Sequence, residues 1–152
     1  MASGGLSVDF FPATVASTTS EEPSIVYEAT ATGRGIAALL VGLTGAYCQS
    51  VFEALARSSP GELISIIREN RAPDSRLTFA AEILGRDVPT PAAAIALLEI
   101  LQDHRSPLVR EGAVLGLAHH LDGIGVRQSL RAAAEGDPSL GVKRAAAEVL
   151  DD

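Results

Sequence analysis

A glycine-rich motif near the start of the chain is the first group of residues whose spacing is associated with chemistry. Gly33-Arg-Gly35-Ile-Ala-Ala38 has the form G-x-G-x-x-A, follows the strand-like run from Ser24 to Thr32 and precedes an apolar stretch. In dinucleotide-binding units such glycines let the backbone approach a pyrophosphate at a helix N-terminus. Those units also need an acidic residue at the end of a second parallel strand, about 20 residues later. Glu53 instead lies inside a continuing helical pattern, so the motif predicts a linker and a helix start, and no cofactor is expected.

The histidines and the paired acids are the other candidates for chemistry. His119 and His120 are adjacent, and neighbouring residues of a helix point about 100° apart, so these two rings cannot easily share one metal ion. His104 has no Cys or carboxylate at a convincing ligand spacing. The pairs Glu21-Glu22 and Asp151-Asp152 lie at predicted mobile ends, where no burial is expected to shift a carboxyl pKa. The sequence therefore predicts no metal site, no catalytic residue and no enzymatic activity.

The composition indicates one small helical domain and disfavours nucleic acid as a partner. The 152 residues are 47% hydrophobic but only 4% aromatic, so the core must consist mainly of Ala, Leu, Ile and Val. Eleven Arg and one Lys stand against nineteen acids, which gives a net charge of -7. Because this charge repels a phosphate backbone, no nucleic-acid partner is expected.

Cysteine usage and hydropathy predict a soluble, cytoplasmic protein without a membrane partner. Cys48 is the single cysteine, which excludes an internal disulfide and agrees with a reducing compartment. The longest apolar stretch, Ile36 to Tyr47, is interrupted by Gly42 and Gly45 and is shorter than the roughly 20 residues that span a bilayer. No cation precedes Arg34, so the positive region of a secretory signal is missing.

The chain divides into residues 1–33 and residues 34–152. The first region is rich in Ser, Thr, Ala and Gly, carries several acids and lacks helical periodicity, which predicts a mobile acidic arm. Two runs in it, Leu6 to Phe11 and Ser24 to Thr32, contain β-branched and aromatic residues. They could instead pair as a hairpin or lie along the following domain.

A repeat of 33 residues dominates the second region. Three segments match one another at positions i, i+4 and i+8. Position i is Arg76, Val109 or Val142, position i+4 is Ala80, Ala113 or Ala146, and position i+8 is Leu84, Leu117 or Leu150. This spacing makes one stripe on a helix, and we expect its Ala to allow a neighbouring helix to cross closely. A preceding segment repeats in the same register, as Ile64/Leu97/Leu130 and Ile67/Ile100/Ala133. Each unit is therefore predicted to be a pair of helices.

Prolines near helix starts and glycines near helix ends agree with this division. The predicted helices are Gly35 to Arg57, Pro60 to Asn70, Pro73 to Arg86, Thr90 to Asp103, Ser106 to Leu121, Gly123 to Glu135, and Pro138 to Leu150. Their short connections predict helices that fold back on each other. The fold class is thus all-α, with about three helix pairs after one N-terminal helix.

The repeated turns resemble a known family. The stretch Asp103-His-Arg-Ser-Pro-Leu-Val-Arg-Glu-Gly-Ala-Val-Leu-Gly-Leu-Ala118 is similar to the second helix of a HEAT repeat: an Asp, a turn with Pro, Val-Arg, Ala four residues after Val, and Leu eight after. The last unit matches again, with Lys143 in the place of Arg. The first unit departs, with Arg76 at the Val position and Leu77 at the Arg position. Tetratricopeptide and ankyrin signatures are absent, and armadillo repeats are the close neighbours.

The resemblance implies a right-handed α-α superhelix that grips partners along a face lined by its second helices. It favours a non-catalytic protein–protein interaction module, such as an adaptor, a scaffold, or an inhibitor of the immunity type. Some HEAT-like proteins are DNA glycosylases or lyases, so an enzyme or lyase-type accessory subunit with a small-molecule ligand is the alternative. The preference for Arg over Lys and the abundance of Ala suggest a GC-rich genome, and a small bacterial adaptor is one instance of such a module.

The repeat register predicts the partner-binding residues. Positions i+2 and i+6 of each second helix lie opposite the buried stripe. With a following histidine, they are Thr78, Glu82, Glu111, Leu115, His119, Arg144 and Glu148. Their mixed polarity suits a protein partner of unknown identity, and an ordinary solvated face is the other interpretation.

Two further expectations concern contacts between repeats and between chains. Arg110 and Lys143, each one residue after a buried Val, are expected to bond with Asp103 or Asp137 in the turns and so tie adjacent repeats together. The last helix is rich in Ala, Val and Leu, and the first predicted helix is apolar nearly all round. An apolar end of the stack predicts a homodimer, unless the N-terminal arm covers it.

Overall fold

The computed structural model describes residues 45–152, and this part of the chain is all-helical, without a strand. In chain order its helices are α1 Gly45–Ser58, α2 Pro60–Arg68, α3 Asp74–Asp87, α4 Pro91–Asp103, α5 Pro107–Leu117, α6 Val126–Gly136 and α7 Leu140–Asp151. A single 3-10 turn, Ala118–His120, follows α5. The predicted all-α class is therefore confirmed for the described residues, and none of these helices is long and apolar enough to cross a membrane.

The helix starts follow the local chemistry of the sequence. Pro60, Pro91 and Pro107 are the first residues of α2, α4 and α5. A backbone N–H at this position has no acceptor within the helix, so proline, which lacks the N–H, loses no hydrogen bond there. Thr90 caps α4, because its hydroxyl oxygen accepts a hydrogen bond of 3.2 Å from the backbone N–H of Ala93.

The predicted ends of two neighbouring helices are wrong by three or four residues. The helix expected to begin at Gly123 begins at Val126, and the helix before it ends at Leu117 rather than Leu121. The backbone N–H of Gly123 bonds to the carbonyl of His120, and Gly125 adopts φ 79° just before α6. This left-handed conformation cannot continue a helix and suits glycine.

The helices form two layers. Helices α1, α3, α5 and α7 pack side by side in one layer, and α2, α4 and α6 form the other. The connections between α2 and α3, α4 and α5, and α6 and α7 are short, so each pair is antiparallel, and α3, α5 and α7 run parallel to one another. We call α3, α5 and α7 the second helices.

The core lies between the two layers and follows the predicted stripes. Ala80, Ala113 and Ala146 are each 0% exposed, as the 33-residue repeat predicts. From the other layer, Leu97 and Leu130 are also completely buried. The repeat register therefore identifies the buried side of each second helix.

The closest contact between second helices is nevertheless made by glycines. A Cβ placed on Gly85 of α3 would lie 2.2 Å from the carbonyl oxygen of Gly116 of α5. A Cβ on Gly112 would lie 2.3 Å from the carbonyl oxygen of Thr78, and one on Gly116 would lie 2.7 Å from that of Ala81. The backbones of α3 and α5 thus touch directly. In the sequence, the signal of this approach is the spacing Gly112-x-x-x-Gly116, which the 33-residue repeat does not include.

Several predictions concern residues outside the described range. They are the motif Gly33 to Ala38, the strand-like runs Leu6 to Phe11 and Ser24 to Thr32, the domain boundary after residue 33, and the part of the first predicted helix that precedes residue 45.

Candidate functional site

The residues predicted to bind a partner lie on one side of the layer of second helices. Leu115, Arg144 and Glu148 are exposed, and Thr78, Glu82 and Glu111 are half-buried. We call these six residues the second-helix face. The seventh predicted residue, His119, is exposed on the 3-10 turn that follows α5.

The face has a regular geometry because its residues are equivalent positions of the repeat. Each second helix contributes two of them, four residues apart, which places both on the same side of that helix. One row across the three helices consists of Glu82, Leu115 and Glu148, and the other consists of Thr78, Glu111 and Arg144. Axes of packed helices lie about 8–10 Å apart, so neighbours within a row are separated by about that distance.

Two contacts hold this face in register. The close approach of Gly112 to the carbonyl of Thr78 sets α5 against α3. On the other flank, Oε2 of Glu111 lies 3.2 Å from where a Cβ on Gly141 would stand. Gly141 is the second residue of α7, and a carboxylate near a helix N-terminus interacts favourably with the helix dipole. Glu111 therefore connects α5 with α7 as well as facing solvent.

Leu108 is an apolar residue of this surface that the sequence analysis missed. It precedes Leu115 by seven residues, two helical turns, so both point to the same side of α5. Leu108 is 41% exposed and Leu115 is 40% exposed. On a helical wheel Leu108 lies about 20° from the direction of Leu115. This seven-residue spacing of two leucines is the sequence signal that could have identified Leu108.

A buried ion pair joins the turns behind this face. Arg110 is 8% exposed; its Nε donates to Oδ2 of Asp137 and its Nη2 donates to Oδ1, each at 2.9 Å. Its Nη1 also donates to the carbonyl oxygen of His104 at 2.8 Å. The prediction left Asp103 and Asp137 open as partners. The structure selects Asp137, whereas Asp103 is exposed at the end of α4.

The surroundings of Asp137 hold its carboxyl group ionised. Burial is the largest single effect and raises its pKa, but the hydrogen bonds from Arg110 and from the N–H of Ser139, together with the charges of Arg110 and Lys143, outweigh burial. The net result is a pKa below the usual Asp value. The Ser139 hydrogen bond, at 2.8 Å, also orders the turn before α7.

His104 occupies the equivalent place one repeat earlier. Its Nδ1 accepts a hydrogen bond of 3.1 Å from the N–H of Ser106, as Asp137 accepts from Ser139. Because Nδ1 accepts, the ring proton is on Nε2, which donates to Oδ1 of Asn70 at 2.9 Å. Burial, mainly, lowers the pKa of His104 below its usual value. This histidine is therefore a neutral structural group.

The other two histidines also show no sign of metal chemistry. His120 donates from Nε2 to the carbonyl of Gly85 at 2.9 Å, near the end of α3. His119 is exposed. Among residues 45–152 no group of three His, Cys, Asp or Glu side chains is placed to hold a metal ion.

A shallow groove lies between the C-terminal ends of α2 and α4. Its volume is about 390 Å³, and its lining includes Arg68, Asn70, Glu99 and His104. Arg68 pairs with Glu99 across the groove, and Asn70 pairs with His104. These four polar side chains thus hydrogen-bond to one another.

The comparisons with known proteins agree with the helix pairs. A family model described as HEAT repeats matches residues 61–151, more than half of the chain and nearly the whole range from α2 to α7. No curated protein matches the chain, and no solved structure matches it. The match covers all three of the helix pairs described above, and the chain belongs to the HEAT-repeat family.

Proposed function

We propose that the chain is a non-catalytic protein–protein interaction module that binds a protein partner through its second-helix face. HEAT repeats commonly mediate such interactions. The observation that carries the proposal is the exposure of Leu108 and Leu115 on α5, the middle one of the three second helices, whose other side is tightly packed. A net charge of -7 favours a protein over a nucleic acid as the partner.

The two leucines supply binding energy of a useful size. Each retains about two-fifths of its accessible surface, and burying that remainder is worth about 1 kcal/mol per side chain. Charged residues on both flanks give such a contact the polar rim that protein interfaces have. The surface therefore suits a partner of mixed polarity.

Affinity capture with the full chain tests the proposal. We expect a stoichiometric partner to be retained by the wild type and lost by Leu115→Asp and by Glu111→Arg. Ile95→Asp is the matched control, because Ile95 is an exposed apolar residue, at 55%, on α4 in the other layer. A partner that all variants retain equally contradicts binding through this face.

The alternative function is that of a HEAT-like enzyme or a lyase-type accessory subunit with a small-molecule ligand. A stoichiometric small molecule in the purified protein, observed by native mass spectrometry, would favour this alternative. The wild-type chain and the Leu115→Asp chain would then carry the molecule equally, since Leu115 does not line the groove between α2 and α4.

The finer proposals concern setting and assembly. We propose a right-handed superhelix that acts as an adaptor, scaffold or inhibitor in the cytoplasm of a bacterium. We also propose a homodimer through an apolar end of the stack, where Leu140 of α7 is 69% exposed. Light scattering that gives a mass of 15.7 kDa at micromolar concentration would contradict the dimer.

A further inference from the structure

The row formed by Glu82, Leu115 and Glu148 combines one apolar side chain with two negative charges, and this combination favours a partner with complementary groups. An exposed apolar side chain stands in the middle, and one carboxylate stands on each adjacent helix. We propose, on the basis of the proposed function, that this row binds an extended basic segment of a protein. The segment carries an apolar residue over Leu115 and a Lys or Arg on either side of it, opposite Glu82 and Glu148.

Ion pairs engage some of the glutamates of residues 45–152 and leave others free of such contacts. Glu53, Glu62 and Glu99 each form an ion pair, with Arg86, Arg71 and Arg68 respectively, and Glu69 pairs with Arg71, whereas Glu111 and Glu135 form none. Within residues 45–152, neither Glu82 nor Glu148 takes part in an ion pair. Their charges are therefore open to pairing with cations of a partner.

Long-range electrostatics act in the same direction. The chain carries a net charge of -7, which attracts a basic partner and repels an acidic one before contact is made. Arg144 is the one cation of the second-helix face, and it lies in the other row, four residues before Glu148 on α7. The row through Leu115 thus contributes two negative charges and no positive charge.

The spacing of the row defines the spacing in the partner. Adjacent helix axes generally lie about 8–10 Å apart, which sets the scale of the spacing between Leu115 and each carboxylate. A polyproline II segment has three residues per turn and rises about 3.1 Å per residue, so side chains three residues apart lie on the same side of it, about 9 Å from each other. The matching segment has the form [KR]-x-x-Φ-x-x-[KR], where Φ is apolar, and runs across the second helices.

Titration with synthetic peptides, followed by NMR of the full chain with labelled Leu methyl groups, tests this inference. The probe is a peptide with a Lys-x-x-Leu-x-x-Lys core in a Gly/Ser background. We expect the methyl signals of Leu115 and Leu108 to shift, and the binding to weaken at high salt, since exposed charge pairs are screened. Peptides with Glu in place of both Lys, or Ser in place of Leu, are expected to bind about tenfold more weakly or worse.

Isosteric variants of the protein test the carboxylates. The double variant Glu82→Gln/Glu148→Gln keeps the shape of the row, and we expect it to bind the Lys peptide about tenfold more weakly. Glu135→Gln, at an exposed position of α6, is the matched control and should leave binding unchanged. Equal binding of the Lys and Glu peptides, or shifts confined to residues away from the row, would overturn the inference.

The outcomes separate this inference from the proposed function. A captured partner that Leu115→Asp releases and that the double glutamine variant retains overturns the basic segment but leaves protein binding through the face intact. A captured partner that Leu115→Asp retains overturns the proposed function itself. Loss of the captured partner with both variants, while Glu135→Gln retains it, supports the two together.

Discussion

The guanidinium of Arg110 on α5 holds the carboxylate of Asp137, in the turn before α7, through two hydrogen bonds of 2.9 Å each. Both side chains are about nine-tenths buried. The pair fastens the second helix pair to the third at the edge of the layer. It therefore stabilises the relative positions of α5 and α7, on which the second-helix face depends.

Removing one member of this pair should be severely destabilising. Arg110→Ala leaves the Asp137 carboxylate buried without its partner, and breaking a buried pair in this way costs about 3–5 kcal/mol. Urea denaturation followed by circular dichroism measures the change in unfolding free energy. Arg131→Ala, at an exposed position of α6, should change it by about 0.5 kcal/mol or less. A loss below about 1 kcal/mol for Arg110→Ala would show that the pair is not a structural tie.

Unfolding should depend on pH through His104. Because its pKa is lower in the folded protein than the ordinary value of 6.5, the unfolded chain takes up the proton first as the pH falls. The stabilisation is complete above about pH 6.5 and is lost as the pH falls from there through the folded pKa. Asp74, Arg105 and Arg110 also act on this ring, and burial dominates.

The His104→Asn variant isolates this effect. Its amide oxygen can accept the hydrogen bond from Ser106, as the Asp137 carboxylate accepts one from Ser139, and it does not titrate. We expect the unfolding free energy of the wild type to fall more steeply than that of the variant between about pH 7 and pH 5. Parallel curves for the two chains would contradict a depressed pKa at this position.

The contact between α3 and α5 predicts opposite effects for two Gly→Ala substitutions. Where nothing obstructs the added Cβ, the change stabilises by about 0.4–1 kcal/mol because it restricts the unfolded chain, and Gly61, the second residue of α2, has no atom within 4 Å of an added Cβ. At Gly116 the added Cβ would lie 2.7 Å from the carbonyl of Ala81. Forcing the helices apart there should cost about 1–3 kcal/mol or more. Thermal unfolding of both variants decides the matter, and a stabilised Gly116→Ala chain would refute the close crossing.

The sequence predicted the buried side of the helices well because burial repeats with the period of the fold. Ala80, Ala113 and Ala146 are equivalent, and each must fit against a neighbouring helix under similar constraints. Prolines predicted the starts of α2, α4 and α5 to within one residue. The prediction of a helix that begins at Gly123 is wrong because Gly125 has a left-handed backbone conformation, which a helix cannot include. The presence of a glycine in a sequence does not reveal the sign of its φ.

The missed features depend on differences between repeats. Asp103 precedes Val109 by six residues, whereas Asp137 precedes Val142 by five, so the structural equivalent of Asp137 is His104. Aligning the two turns by their Asp residues concealed this shift. Similarly, Gly112 and Gly116 have no glycine partners at the equivalent positions of α7, Ala145 and Val149, so a search for shared residues passes over them.

The variant used to test binding should remain folded, and a neighbour on the same helix provides the comparison. Leu115 is 40% exposed, so the carboxylate of Leu115→Asp reaches water, and we expect a loss of about 1–2 kcal/mol from packing and helix propensity. Leu117 is 0% exposed, and Leu117→Asp would bury an unpaired charge in the core, at a cost of about 4 kcal/mol or more. Circular dichroism and urea denaturation of the two chains measure both losses. Equal losses would mean that the side chain of Leu115 belongs to the core rather than to the second-helix face.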